Sequence, residues 1–347
     1  MRDRLAAFGG LALAGAATGA AVATSRALAA RAAGSFYGRT GPRTSALHFG
    51  AAYAGSPIIF NRSEMSQTLH TASFEEVRGH LPSDDLYPVR LSGDRAVVAI
   101  GAYRHDEITS HGVHGKALMP YGEVIIAALV SRRPTPPVLP LLVPGLMGRS
   151  VGAFVLHLPV THRAARDGGR LGWGYPKFIA DMDFEDSLET LRCTLAEGEH
   201  EILRHTVYPS GQPSMLSSST ILYSVLEGEL LALEVPMSGL SRQRWGSGGG
   251  RLELGDHQVA DELRPLAISP EPFLTRRVSE LHLALTFGHA VGEARPYLGY
   301  IGGDRDLGRY TVRYATEAPI DMYAPYGPSA KPSTAIEVGA QSAAIGS

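Results

Sequence analysis

Apolar residues in the body of this chain gather in short runs fenced by glycine and proline. Ala96 to Ile100, Val124 to Val130 and Phe154 to Val160 are nearly continuous apolar stretches. Runs of that length predict buried strands. Between Leu188 and Leu195 the pattern changes: Leu191, Cys193 and Leu195 alternate, as on a half-buried strand. Ile221–Leu226 and Leu230–Val235 flank Glu227-Gly228-Glu229, which predicts a hairpin. Helical signals are few. Ser73-x-x-Glu76 is a capping box that opens a short helix through His80, stopped by Pro82. Thr161 to Asp167 is a second short helix, expected to end at Gly168-Gly169. The segment Pro134 to Pro144 reads as an extended loop, Gly246 to Gly250 as a turn, and Tyr310 to Tyr314 as one strand.

The first fifty residues form a piece of their own. Leu5 to Ser25 carries no charge and is just long enough to cross a bilayer core. From Arg4 to Ser63 there is no acidic residue, while Arg26, Arg31, Arg39 and Arg43 accumulate. Three addresses fit: an organelle (mitochondrial) transit peptide, a secretory signal cut near Ala27-Leu28-Ala29, or an anchor joining the membrane through residues 5–25. In the anchor, Gly15-x-x-x-Gly19 would permit helix pairing. A plain Ala/Gly terminus is the bland alternative. The expected organisation is a leader at 1–50, a β domain at 51–292, and a Gly/Tyr/Pro-rich extension with a disordered tail at 293–347.

Composition narrows the function. The chain has 347 residues, 44% of them hydrophobic, enough for a sizeable core. Its net charge of −2 gives no electrostatic pull toward nucleic acid, and none is expected as a partner. One cysteine, Cys193, excludes an internal disulfide and a multi-cysteine zinc site; it reads as a small buried apolar residue. Forty glycines and 23 prolines suit many strands joined by turns.

The segment Gly169-Arg170-Leu171-Gly172-Trp173-Gly174-Tyr175-Pro176-Lys177-Phe178 carries the chemistry. Lys177 follows a rigid turn and sits among Trp173, Tyr175 and Phe178. Lysine ordinarily titrates near 10.4. Apolar surroundings disfavour its ammonium form, and a neutral amine can attack a ketone to form a Schiff base. The bland alternative is a surface lysine whose stem lies on aromatic rings.

Gly-Tyr-Pro-Lys, at Gly174 to Lys177, resembles the active-site segment of the acetoacetate decarboxylase family. Asn61-Arg62 ahead of the Ser73 helix resembles an Asn-Arg pair of that family, and Tyr121-Gly122-Glu123 resembles its Tyr-x-Glu. Arg251 to His257, Leu263 to Ile268 and Glu280 to Leu285 resemble its C-terminal strands, so the likeness spans roughly 56–292. It implies a mainly β fold, an antiparallel closed or cone-like barrel with a few peripheral helices. It also implies a lyase that acts on a keto acid without organic or metal cofactor, and a homo-oligomer. Carried over residue by residue, Lys177 is the nucleophile, Arg62 faces the substrate carboxylate or supports the site, and Glu123 positions substrate or moves protons. Tyr121, Trp173, Tyr175 and Phe178 would line the substrate. Structural readings compete: an ion pair for Arg62, a solvated strand end for Glu123. Two positions depart from the family. Phe178 stands where a second lysine is usual, and Ala99 falls near its second acidic residue. Both point away from decarboxylation of acetoacetate itself and leave open related Schiff-base chemistry on a larger keto acid, such as aldol-type condensation or dehydration.

Other classes remain. One is a non-catalytic small-molecule-binding barrel in which Lys177 is only an ion-pair partner. Another is a serine hydrolase: Gly148-Arg149-Ser150-Val151-Gly152 matches the nucleophile-elbow pattern, although Pro144 and Gly145 replace the required strand before it. His105, His111 and His114 match no strong metal template and read as loop histidines. Gly246 to Gly250 lacks the lysine and helix of a phosphate loop.

Overall fold

The computed structural model describes residues 45–49, 52–110, 118–136 and 151–323, with Ala27, Arg31 and Phe36 as single residues. The leader at 5–25, His111, His114, residues 137–144, Ser150 and the tail from 324 lie outside the described residues. In chain order the strands are β1 (Ser45–Phe49), β2 (Ala52–Ser56), β3 (Ile58–Ser73), β4 (Tyr87–Pro88), β5 (Arg90–Ser92), β6 (Arg95–Ser110), β7 (Tyr121–Ser131) and β8 (Val151–His157). They continue as β9 (Asp181–Asp186), β10 (Leu191–Glu197), β11 (His200–Val207), β12 (Ser214–Leu226), β13 (Glu229–Trp245) and β14 (Gly250–Leu254). The last are β15 (Leu274–Leu285), β16 (His289–Glu293), β17 (Tyr310–Tyr314) and β18 (Ile320–Asp321). Helices α1 (Phe74–His80), α2 (Arg163–Trp173) and α3 (Gln258–Leu263) lie between them.

Seven strands close a barrel in the order β6-β7-β8-β12-β13-β15-β3, with β3 returning to β6. Every neighbouring pair in this ring is antiparallel except β8 and β12. A six-stranded sheet, β14-β11-β10-β9-β17-β18, packs outside. Side chains alternate across a strand. Val97 and Ala99 of β6, and Ile125, Ala127 and Leu129 of β7, therefore join the core inside the barrel. Val98 and Ile100, and Val124, Ile126 and Ala128, join Met182, Phe184, Cys193 and Leu203 in the core between barrel and sheet. Both faces of β6 and β7 are covered, so their sequences read as unbroken apolar runs.

Local signals place several elements well. Ser73 caps α1, its hydroxyl accepting from the Glu76 amide at 3.4 Å. The β12–β13 hairpin turns at Glu227 and Gly228, both at positive φ (52° and 85°), the geometry of a tight two-residue turn. Other boundaries differ. β8 begins at Val151, three residues before the expected Phe154, and β10 begins at Leu191 because Leu188 stands in the turn, 95% exposed. The second helix runs from Arg163 to Trp173, straight through Gly168-Gly169. Its stop is Gly174, in the left-handed region at φ 62°, whose amide donates back to Arg170 O.

Candidate active site

The link from α2 to β9 carries Lys177, and its backbone is held on both sides. Pro176 O and Phe178 O accept from the Leu158 and Val160 amides at 3.1 and 2.9 Å, and the Arg170 guanidinium donates to Lys177 O. On the other side of the 158–160 run lies β7: the Val124 amide donates to Pro159 O at 3.0 Å, and Glu123 is bridged to Val160. This run therefore sets Glu123 and Lys177 one strand apart. Lys177 Nζ donates to Glu123 Oε2 at 2.7 Å, and the Tyr121 hydroxyl reaches the same oxygen at 3.5 Å.

The pair sits in a cavity of about 250 Å³ in the barrel, roofed by Ala164, Ala165, Gly168, Gly169 and Trp173 of α2. Its walls are apolar, with Ile58, Phe60, Leu222, Val235, Met237 and Leu283 from four barrel strands. The lysine stem fits under α2 because residue 169 is glycine. A Cβ there would lie 2.5 Å from Lys177 Cδ and 2.7 Å from Cε. Burial alone would raise the Glu123 carboxyl, but the Lys177 ammonium, His105 and the bonds from Lys177 and Tyr121 outweigh it and hold it below its ordinary value. Burial and the neighbouring Glu123 charge drive the Tyr121 and Tyr175 phenols well above the usual range.

The residues singled out from the sequence divide in two. Lys177, Glu123, Tyr121, Trp173 and Tyr175 converge on the cavity. Trp173 is anchored by its indole N–H on Thr286 O at 2.6 Å and by stacking on Phe287. Arg62, expected to face a substrate carboxylate, lies outside: its side chain is 60% exposed and pairs with Asp106 at 3.4 Å. A bulge in β3 is the cause. The register against β6 shifts on both sides of Arg62, so Phe60 and Ser63 point inward and Arg62 does not. Phe178, expected to line the substrate, also faces away. It is fully buried in the core between barrel and sheet, edge-on to Tyr300. Ser150 lies outside the described residues.

Among the cavity residues not singled out from the sequence are two rings on β6. His105, a loop histidine by its sequence surroundings, is on β6 and buried, and Tyr103 stands two residues before it. Their signal was the strand period: positions 97, 99, 101, 103 and 105 continue one face beyond the apolar run at 96–100. Polar composition after Tyr103 hid it.

Comparison with known proteins follows this geometry. A search of curated proteins found no match. Among solved structures, an acetoacetate decarboxylase is 14% identical with a TM-score of 0.48, covering 69% of this chain and 90% of that one. The acetoacetate decarboxylase of Legionella pneumophila is 20% identical with a TM-score of 0.43, covering 69% and 88%. The enduracididine biosynthesis enzyme MppR complexed with pyruvate is 15% identical with a TM-score of 0.49, covering 68% and 91%. The acetoacetate decarboxylase family model matches residues 50–286, more than half of the sequence and a span that holds Glu123, the α2 roof and Lys177 alike. By that match, the chain belongs to the acetoacetate decarboxylase family.

Proposed function

We propose that the protein is a Schiff-base-forming lyase acting on a keto acid, with Lys177 as nucleophile and Glu123 as its proton partner. One observation carries this reading: a buried lysine in an apolar cavity, hydrogen-bonded to a single carboxylate at 2.7 Å. The residue type supports it too. Of 32 basic residues only three are lysine, Lys116, Lys177 and Lys331. A cation wanted only for a buried ion pair is better served by arginine, which holds its proton; lysine can release its own.

In this reading the ammonium passes a proton to Glu123, its direct partner, when substrate enters the cavity. The free amine adds to the keto carbon, a proton moves from nitrogen to the carbonyl oxygen, and the Glu123 carboxyl protonates the departing hydroxyl. Water leaves and a protonated imine remains. In a β-keto acid the carbon–carbon bond to the carboxylate then breaks. Its electron pair flows to the imine nitrogen, giving carbon dioxide and an enamine. Protonation at carbon and hydrolysis release the ketone and restore the amine. The same imine also supports aldol or dehydration steps on a larger keto acid.

The test is borohydride trapping. Incubation of the full chain with 3-oxo acids and reductant is expected to leave a mass adduct at Lys177, and none in Lys177→Ala. An adduct confined to Lys116 or Lys331, or none with any acid tried, would remove the imine. A ligand that binds without trapping would leave the non-catalytic barrel.

A further inference from the structure

His105 is the cavity residue that the lysine chemistry above does not use. The barrel register sets it between Ser63 of β3 and Tyr121 of β7. Its Nδ1 is tied to the Ser63 hydroxyl at 2.8 Å, and that serine is itself fully buried. The ring is packed by Phe60, Tyr121 and Tyr103, with centroids 4.5, 4.9 and 5.6 Å away. Its position and rotation are therefore fixed before any ligand arrives. Nε2 makes no hydrogen bond among the described residues, although the residue is 2% exposed and lines the cavity. Burial brings the imidazole down to about 4, against an upward pull from Glu123 and with a further push from Lys177, so the ring is neutral at physiological pH. Among the described residues, the Tyr175 hydroxyl, also in the cavity wall, is a buried polar atom without a hydrogen-bond partner.

A keto acid brings more oxygen than Lys177 and Glu123 can serve. The lysine attacks the keto carbon and the glutamate manages its proton, but the carboxylate still needs a donor. We propose that His105 is the specificity-determining residue for that group: the Ser63 hydroxyl donates to Nδ1, which fixes the tautomer with hydrogen on Nε2, and Nε2–H donates to the substrate carboxylate. The apolar wall of Ile58, Leu222, Val235, Met237 and Leu283 takes the tail, so the substrate class is a 3-oxo acid with an aliphatic chain. A neutral donor suits a reaction in which the carboxylate is lost. A guanidinium would hold the ground-state charge tightly and forfeit that hold as carbon dioxide forms; imidazole orients the group with less to forfeit.

The inference rests on the Lys177 reading for its reaction, but its test does not. 3-Hydroxyoctanoate cannot form an imine, and octan-2-ol lacks the carboxylate. Equilibrium binding of both to the full chain, its His105→Phe and its His105→Asn variants isolates the bond. His105→Phe keeps a ring and is expected to weaken 3-hydroxyoctanoate about tenfold or more, as for a hydrogen bond to a charged group, while octan-2-ol changes by less than about twofold. His105→Asn, which keeps a donor, is expected to recover most of the acid's affinity. If both ligands weaken together, or neither does, His105 is packing only and the proposal falls. Trapping with 3-oxooctanoate reads Lys177 separately: no adduct there, with the binding selectivity intact, would sink the imine and leave His105 standing.

Discussion

Gly169 leaves the space that the Lys177 stem occupies, and this gives the sharpest prediction at the scale of single residues. In Gly169→Ala the new methyl meets Cδ and Cε of the lysine, while the helix gains a better former. The melting temperature is expected to stay or rise slightly, and the trapping rate to fall about 100-fold, the usual penalty for a displacement near 1 Å at a reacting group. Equal losses in stability and rate would mean that the glycine serves the helix, not the amine. Phe178 gives the converse case. Restoring the family's lysine as Phe178→Lys puts a cation beneath Tyr300 in an apolar core, where the Glu197 carboxylate is already engaged by Tyr300, Gly303 and His257. An unpaired buried charge costs about 3–5 kcal/mol. Thermal denaturation is expected to show that loss, with no gain in rate. Lys177, Glu123 and the three aromatic residues around them were legible because a short motif and strand alternation carry them. Arg62 was not, since one extra residue in β3 reverses its face and leaves no local mark.

Among the elements, the polypeptide after β16 does more than trail from the barrel. Residues 294–323 cross behind the link that carries Lys177. Tyr300 packs on Phe178, and a Cβ on Gly299 would lie 2.7 Å from Pro176 Cβ. Two carboxylates fasten this segment. Glu197 accepts from the Tyr300 hydroxyl at 2.6 Å and the Gly303 amide at 2.9 Å; Asp181 takes Arg305 at 2.8 Å and the Arg309 amide. β17 then adds to β9 in parallel. Replacing Glu197 by Gln is expected to loosen residues 297–303 and, through them, the back of Lys177. Hydrogen exchange checks it: the Val160 and Ala180 amides, which bind Phe178 O and Val160 O, are expected to exchange faster while β12 and β13 do not change. Unchanged protection at both amides would make the segment a passive cover. Sequence pattern revealed β17 as a strand but not its partner, because parallel pairing with a strand 128 residues earlier has no local signature. It also missed most of β12, whose Ser214 to Thr220 half lies partly exposed on the barrel and carries little apolar content.

The joint between barrel and outer sheet explains why the whole molecule was harder to read than the link that carries Lys177, and it shares in the response to acid. β3 looked polar because its outer face meets the sheet through polar groups. Thr68 bonds both His205 of β11 and His70, at 3.0 and 2.8 Å, and His70 bonds Ser269 O at 2.7 Å. Nearby, Arg104 joins Asp186 and Glu64, and Arg277 joins the same two carboxylates. Such buried networks interrupt the apolar pattern from which strands are read, so the closed barrel followed from family resemblance more than from periodicity. Burial lowers His70, His105 and His157 from the ordinary 6.5 to about 4, and His205 to about 3. The folded values lie below the unfolded ones. Their contribution to stability is therefore complete above pH 6.5 and is lost as the pH falls from there toward 4. Near pH 5.5 the unfolded chain holds these four protons and the native chain does not, so unfolding is expected to take up about four protons. Denaturant titrations from pH 7.5 to 4.5 measure this as a steady fall in midpoint that begins above the carboxylate range. A midpoint flat down to pH 5 would mean that these imidazoles gain solvent or a counter-charge in the native state, and for His70 and His205 that the joint between the sheets is not sealed.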